Sequence, residues 1–188
     1  MYDWITHTWN TIKGACPHDC SYCYMKRWGK LNPIRLDRKE FKTDLGNGNF
    51  IFVGSSGDMF ADDIPAEWIS ETVEYCLRFD NRYLFQSKNP ARMGAFLPSK
   101  NENIVVCTTV ETNRLYTGIM RNCPTPQQRV AGLTILPFKK KYITIEPIMD
   151  FDLNELLALI KIARPEQVNI GADSGKNNLP EPGREKVD

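Results

Sequence analysis

Residues 50–86 read FIFVGSSGDMFADDIPAEWISETVEYCLRFDNRYLFQ, and this stretch decides the fold class. FIFVG (50–54) and RYLFQ (82–86) are short, β-rich and apolar on both faces, as strands of a covered parallel sheet should be. Between them Asp63-Ile64-Pro65 opens a helix, with proline suited to its first turn. Ile69, Val73, Cys76 and Leu77 fall on one face of that helix. Strand, helix and strand in that order make a parallel unit with a right-handed crossover.

Outward from this unit the alternation continues. NIVVCTT (103–109), KYITIE (141–146) and EQVNIG (166–171) read as further strands, and ITHTWNTI (5–12) as a weaker first one. Asn89-Pro90 opens a short helix that Pro98 stops. Thr125-Pro126-Gln127-Gln128 has the form of a capping box, and Asp152-Leu153-Asn154-Glu155 is another start, followed by LLALIKIA (156–163). A further helix is expected from Tyr22 to Trp28. Six strands are too few for a closed eight-stranded barrel of about 250 residues. The expectation is therefore an α/β fold, an open partial (βα)6 barrel formed by residues 1–188 as one domain. An irregular basic insertion near 29–49 and a short tail after 175 interrupt the rhythm. Pro180 to Lys186 looks like the start of one more helix, which would leave one side of the barrel open. In such folds the chemistry sits at the carboxyl ends of the strands.

A net charge of +1 excludes whole-molecule attraction to nucleic acid or membrane, so any such binding needs a local patch. No apolar run approaches the roughly 20 residues that span a bilayer. MYDWITHTWNTIKGA has neither a basic start nor an apolar stretch, so no export signal and a cytoplasmic location are expected. In a reducing compartment, clustered cysteines read as metal or redox ligands rather than as disulfides. Three of the six cysteines stand within CPHDCSYCY (16–24), while Cys76, Cys107 and Cys123 are scattered. Cys76 and Cys107 read as core residues, and Cys123 as a loop thiol with no visible activating partner.

Cys16, Cys20 and Cys23 have C-x3-C-x2-C spacing. Three thiolates on one loop can hold a 4Fe–4S cluster and leave one iron without a protein ligand, whereas four suit electron transfer. A structural zinc wants four ligands. His18 is the nearest candidate for the fourth, but it lies between two of the cysteines, where a tetrahedral cage would be cramped. Three functions stay in play: a cluster enzyme, a non-catalytic iron–sulfur electron carrier, and a zinc-stabilised nucleic-acid-binding module.

CPHDCSYCY, with Tyr22 just before the third cysteine, resembles the signature of the radical S-adenosylmethionine (SAM) superfamily. WNTIKGAC, IFVGSSGDMFADDIP, YLFQSKNPARM, TVET, ITIEPIM and NIGADSG follow in order along almost the whole chain. Together they resemble a phage- and prophage-associated radical SAM family of unassigned function, whose members read near SMSDLF, LTKRPERL, SVEN, SIEPLL and GGESG. The chain departs from that pattern at GSSGDMF, SKNP and GADSG. Spore photoproduct lyase is similar more distantly, by motif alone. The resemblance implies that SAM chelates the open iron. One electron from an external donor would then split it to a 5′-deoxyadenosyl radical that takes hydrogen from an unknown substrate. It also allows for a partner protein.

The resemblance further implies SAM contacts from the loop Gly54, Ser55, Ser56, Gly57 and Asp58, from Thr109 and Glu111, and from Tyr22 beside the adenine. Lys88, Glu146 and Asp173 end their strands and are candidates for acid–base or substrate-binding roles in the same cavity. Lys26, Arg27, Lys30, Arg35, Arg38, Lys39 and Lys42 form a basic run after the cysteines, with Asp37, Glu40 and Asp44 interspersed. That run is either a solvated face or a phosphate grip. With Trp28 and Tyr24 as stacking surfaces, it favours a nucleotide or nucleic-acid base over a peptide as substrate.

Overall fold

The computed structural model describes residues 2–187. Eight strands form: β1 (His7–Trp9), β2 (Ile12–Lys13), β3 (Arg35–Leu36), β4 (Phe50–Val53), β5 (Arg82–Gln86), β6 (Ile104–Thr109), β7 (Lys141–Ile145) and β8 (Gln167–Ile170). Four α-helices accompany them: α1 (Ala66–Cys76), α2 (Thr117–Met120), α3 (Pro126–Ile135) and α4 (Leu153–Ala163). One sheet runs β1-β4-β5-β6-β7-β8 with every pair parallel. Each new strand adds on the same side as the last, so right-handed crossovers put the helices on one face and the sheet curls around the other. β1 and β8 remain edges, so the partial barrel is open. β2 and β3 form a separate antiparallel pair.

The period of two along each strand sorts side chains between the faces. Ile51, Val53, Tyr83, Phe85, Ile104, Val106, Ile143 and Ile145 join one core with Ile69, Val73 and Cys76 of α1, Val130 and Leu133 of α3, and Leu156 and Ala163 of α4. The alternate residues point inward. At the amino ends Phe50, Leu84, Val105, Cys107 and Tyr142 pack with Ile5, Tyr2, Trp4 and Phe52. Trp4 stacks on Tyr2, packs at a tilt against Phe50 and meets Tyr142 edge-on, so the N-terminal segment plugs the bottom of the barrel. Further up the same rows, polar residues replace apolar ones, and a site opens above the plug.

Several local expectations are met with small changes. Thr125 makes both bonds of its capping box with Gln128 at the start of α3. Asp152 sits at the N-cap of α4 without a side-chain cap bond, because its carboxylate is held by Arg114 and Asn113. Leu77 caps α1 and is exposed, while Thr72 and Tyr75 take buried places.

Other elements differ. The expected helix from Tyr22 to Trp28 is a five-residue 3-10 turn, Tyr24–Trp28, with no buried residue, so no apolar stripe extends it. The helix at Asn89-Pro90 is likewise 3-10 (Pro90–Ala95), and the expected start at Pro180 yields only the turn Arg184–Lys186. Val168 and Ile170, on the outer face of β8, are exposed, so this strand is not covered as the inner strands are. Among the described residues, no helix is long and apolar enough to cross a membrane.

Candidate functional site

The cysteine loop follows β2 and is pressed against residues 32–33. Ala15 N donates to Asn32 O (2.8 Å), and Gly14 sits at φ +115°, where a Cβ would lie 2.5 Å from Pro33 O. Only glycine fits both that angle and that approach. From this anchor the chain turns so that Cys16, Cys20 and Cys23 all line one cavity of about 550 Å³ at the carboxyl end of the sheet. A second hollow of about 630 Å³, lined by Thr134, Phe138, Lys139, Lys141, Lys161 and Arg164 among others, lies toward the amino ends of the strands and holds none of the motif residues.

His18 is buried in the cysteine loop, and each of its ring nitrogens meets an acceptor: Nδ1 the carbonyl of Asn122 (3.0 Å), Nε2 the carboxylate of Asp58 (2.9 Å). Two acceptors are satisfied together by the doubly protonated ring. Burial alone would disfavour that charge, but the Asp58 carboxylate outweighs it and raises His18 above its ordinary value. With both nitrogens used, His18 is not free to be a fourth metal ligand. Asp58 also accepts from Ser87 Oγ (2.9 Å) and Lys88 N (2.7 Å). Burial pushes its carboxyl up, and the His18, Ser87 and Lys88 bonds bring it below the usual range. Asp58 thus works inside the wall, tying the cysteine loop to the ends of β4 and β5.

The rest of its loop is held by Asn10. Ser56 N and Oγ donate to Asn10 Oδ1 (2.8 and 3.0 Å), and Asn10 Nδ2 reaches Ser55 Oγ (3.2 Å). Tyr24 OH donates to Ser55 O (3.0 Å). Gly54, Ser55, Ser56 and Gly57 line the cavity beside the cysteines.

Glu111 is fully buried at the end of β6. Lys88 Nζ reaches it at 2.6 Å and Arg129 Nη1 at 2.7 Å, while Tyr22 OH hydrogen-bonds to the same carboxylate. Burial raises its carboxyl, but the two cations outweigh that and hold it at about 2. Lys88 Nζ stands 5.3 Å from the centre of the Tyr22 ring. Tyr22, Lys88 and Thr109 line the cavity, and Glu111 anchors Tyr22 and Lys88 from behind. Arg129 belongs to none of the motifs or strand ends that point to the site in the sequence. Its signal was there: on α3 it shares the stripe of Pro126, Val130 and Leu133, all buried, so a charged residue there needs a buried partner.

Glu146 lines the cavity with an exposed side chain, and Gly171 makes room for it: a Cβ there would lie 2.8 Å from Glu146 Cγ and Cδ. Asp173 also lines it, but its carboxylate accepts from Gly175 N, Asn177 N and Asn177 Nδ2 and so organises its own turn. The floor is a polar layer that the sequence reading did not foresee. Tyr2 OH donates to Gln86 Oε1 (3.0 Å) or Thr144 Oγ1 (2.8 Å), and Gln86 Nε2 donates to Thr109 Oγ1 (3.1 Å). Cys123 is not the lone loop thiol its sequence context suggests: its Sγ lies 3.5 Å from that of Cys20. That contact lowers Cys20 and raises Cys123. Cys76 and Cys107 lie in the core, as expected.

Among the described residues, no three His, Cys, Asp or Glu side chains converge closely enough to hold a single metal ion. The donor set is three thiols of one loop facing one cavity, a set suited to a body larger than one ion. Arg27 lines the cavity with these thiols, and Trp28, next to it at the end of the 3-10 turn, is 79% exposed. The basic run around them is partly neutralised, through Lys26 with Asp19 and Arg38 with Glu71, while its interspersed acids Asp37 and Glu40 pair with Lys13.

A solved structure of a cysteine-to-alanine mutant of spore photoproduct lyase with dinucleoside spore photoproduct is similar in fold, with a TM-score of 0.60 and 16% identity. The match covers 81% of this chain and 49% of that one, so the chain spans about half the length of that protein. No curated protein is similar enough in sequence to count as a match. Over residues 1–182 the sequence fits one family model, and the chain belongs to that family, described as a protein of unknown function (DUF5131).

Proposed function

We propose that this chain is a radical SAM enzyme. One observation carries the reading: Cys16, Cys20 and Cys23, in C-x3-C-x2-C spacing, face a single cavity at the carboxyl end of an open parallel sheet. Cys16, Cys20 and Cys23 would hold a 4Fe–4S cluster there, and with SAM and an external electron donor that cluster would supply the radical chemistry for hydrogen abstraction. The chain's own residues bind, orient and enclose. Gly54 to Gly57, fixed by Asn10, offer backbone groups to SAM. Tyr22 and Thr109 flank the nucleoside, while Lys88, anchored on Glu111, presents a cation toward the SAM carboxylate. The His18–Asp58 pair holds the cysteine loop against the SAM loop. Glu146, exposed in the cavity, serves substrate binding or proton transfer. Membership of the phage- and prophage-associated group belongs to the same proposal and rests on the motif order.

The proposed substrate is a nucleotide or a nucleic-acid base. Trp28 packs no helix and stands exposed with Tyr24, and Arg27 at the cavity is in no ion pair among the described residues. The fold neighbour was solved with a dinucleoside photoproduct, which points the same way. The direct test is anaerobic reconstitution with iron and sulfide, then dithionite and SAM. Release of 5′-deoxyadenosine is expected. A reconstituted protein that leaves SAM intact would reject the enzyme reading in favour of an electron carrier.

A further inference from the structure

The cysteine loop and segment 119–123 are stitched together along their length. Ser21 N donates to Ile119 O (3.0 Å), Asn122 N to His18 O (3.3 Å), Asn122 Nδ2 to Pro17 O (3.1 Å) and His18 Nδ1 to Asn122 O (3.0 Å). An ion pair between Arg121 and Asp19 reinforces them. Residues carried on these two segments cannot drift apart independently. Cys20 and Cys123 are one on each, with their sulfurs 3.5 Å apart. A disulfide needs about 2.05 Å, a closure of roughly 1.5 Å that small side-chain rotations supply. The two thiols are not equivalent. Cys20 lines the cavity, whereas Cys123 sits behind it against Met120, Met149 and Leu179. A small oxidant in the cavity therefore meets Cys20 first.

We propose that Cys20 and Cys123 are a redox modification site, a peroxide-sensing pair that closes to a disulfide when the cluster is absent. The inference rests on the proposed function in taking Cys20 as a cluster ligand. Hydrogen peroxide is the oxidant. The Cys20 sulfur bonds to one peroxide oxygen as the O–O bond breaks; the departing hydroxide takes the thiol proton and leaves as water. The Cys123 sulfur then attacks the Cys20 sulfenic sulfur; the S–S bond forms as the S–O bond breaks, and hydroxide leaves with the Cys123 proton as a second water. Two thiols lose two electrons in all, and one peroxide gains them. The product withholds Cys20 from the cluster until a thiol reductant reopens it, and it keeps Cys20 from irreversible oxidation. Cys123 is thus a resolving cysteine and not a ligand.

The test treats the full-length, cluster-free protein with one equivalent of hydrogen peroxide and maps disulfides by mass spectrometry of non-reduced peptides. The expected dominant bond joins Cys20 to Cys123, with iron loading blocked and then restored by a thiol reductant. A dominant bond from Cys20 to Cys16 or Cys23, or Cys123 recovered as a free thiol, would overturn the proposal and leave the cluster reading standing. Cys123→Ser, reconstituted anaerobically, is expected to load iron as the parent does, and its cluster-free form to give a sulfinic Cys20 under excess peroxide, two equivalents being consumed per sulfinic group. Loss of iron in this variant would make Cys123 a ligand and overturn both the pair and the three-ligand reading.

Discussion

Replacing Glu111 with glutamine keeps the shape of a fully buried side chain and removes its charge. Lys88 and Arg129 then face each other without the carboxylate that compensates them, and Arg129 is itself fully buried, with Nη2 lacking a partner among the described residues. Two routes give the size of the effect. Breaking a buried ion pair by removing one partner costs about 3–5 kcal/mol. Independently, a carboxyl held at about 2 against its ordinary 4.5 represents about 3 kcal/mol of folding free energy. For a domain of this size that is a fall in Tm of roughly 6–12 °C at neutral pH. The sign of the pH dependence follows from the lowered value. The contribution is complete above pH 4.5 and is lost as pH falls toward 2, because a protonated Glu111 resembles the glutamine. Thermal melts of parent and Glu111→Gln from pH 7 down to pH 3, followed by circular dichroism, should show a gap that narrows below pH 4.5. A gap under about 1 kcal/mol at pH 7, or one that stays constant through the acid range, would refute a buried triad centred on Glu111.

Asp58→Asn is expected to destabilise the protein by about 3 kcal/mol in urea unfolding and to weaken iron retention, since His18 loses its counter-charge. Asp58 is held below its ordinary 3.8, so its contribution is present above that pH and fades as the solution is acidified; a flat acid response would contradict this. Asn10→Ala should loosen the Gly54–Asp58 loop and weaken SAM binding, measured by equilibrium dialysis, about fivefold to thirtyfold for one to two hydrogen bonds worth about 1 kcal/mol each; unchanged affinity would remove Asn10 from the site. Trp28→Ala and Arg27→Ala should leave Tm unchanged, because both side chains are exposed, yet lower single-stranded nucleic-acid affinity by about 1–3 kcal/mol for a lost stacking partner. That affinity should fall steeply with salt, and no binding at low salt would end the nucleic-acid reading.

What the sequence made legible follows from what each signal encodes. Apolar runs bounded by turns placed five of the six sheet strands almost to the residue; burial on both faces left little ambiguity for β4 to β7, and flanking turns bounded the half-exposed β8. Cysteine spacing and strand ends named the cavity wall, since residues just past parallel strands must converge. Partners distant in sequence stayed hidden. His18 to Asp58, Glu111 to Arg129 and Cys20 to Cys123 join residues 40, 18 and 103 positions apart, and no local period links them. The N-terminal plug was invisible for the same reason: Tyr2 and Trp4 carry no strand or helix signal, and their role arises only when the sheet curls around them. The helix expected from Tyr22 to Trp28 follows from the strand–helix alternation, and no apolar stripe is there to extend it beyond a 3-10 turn.

The most direct measurement is electron paramagnetic resonance of the anaerobically reconstituted, dithionite-reduced protein with and without SAM, alongside iron analysis of Cys16→Ala, Cys20→Ala, Cys23→Ala and Cys76→Ala. About four irons per chain are expected in the parent and in Cys76→Ala, little in the other three, and a cluster signal that changes when SAM occupies the open iron. A cluster signal indifferent to SAM, or iron that survives loss of Cys16, Cys20 or Cys23, would contradict a three-cysteine site built to bind it.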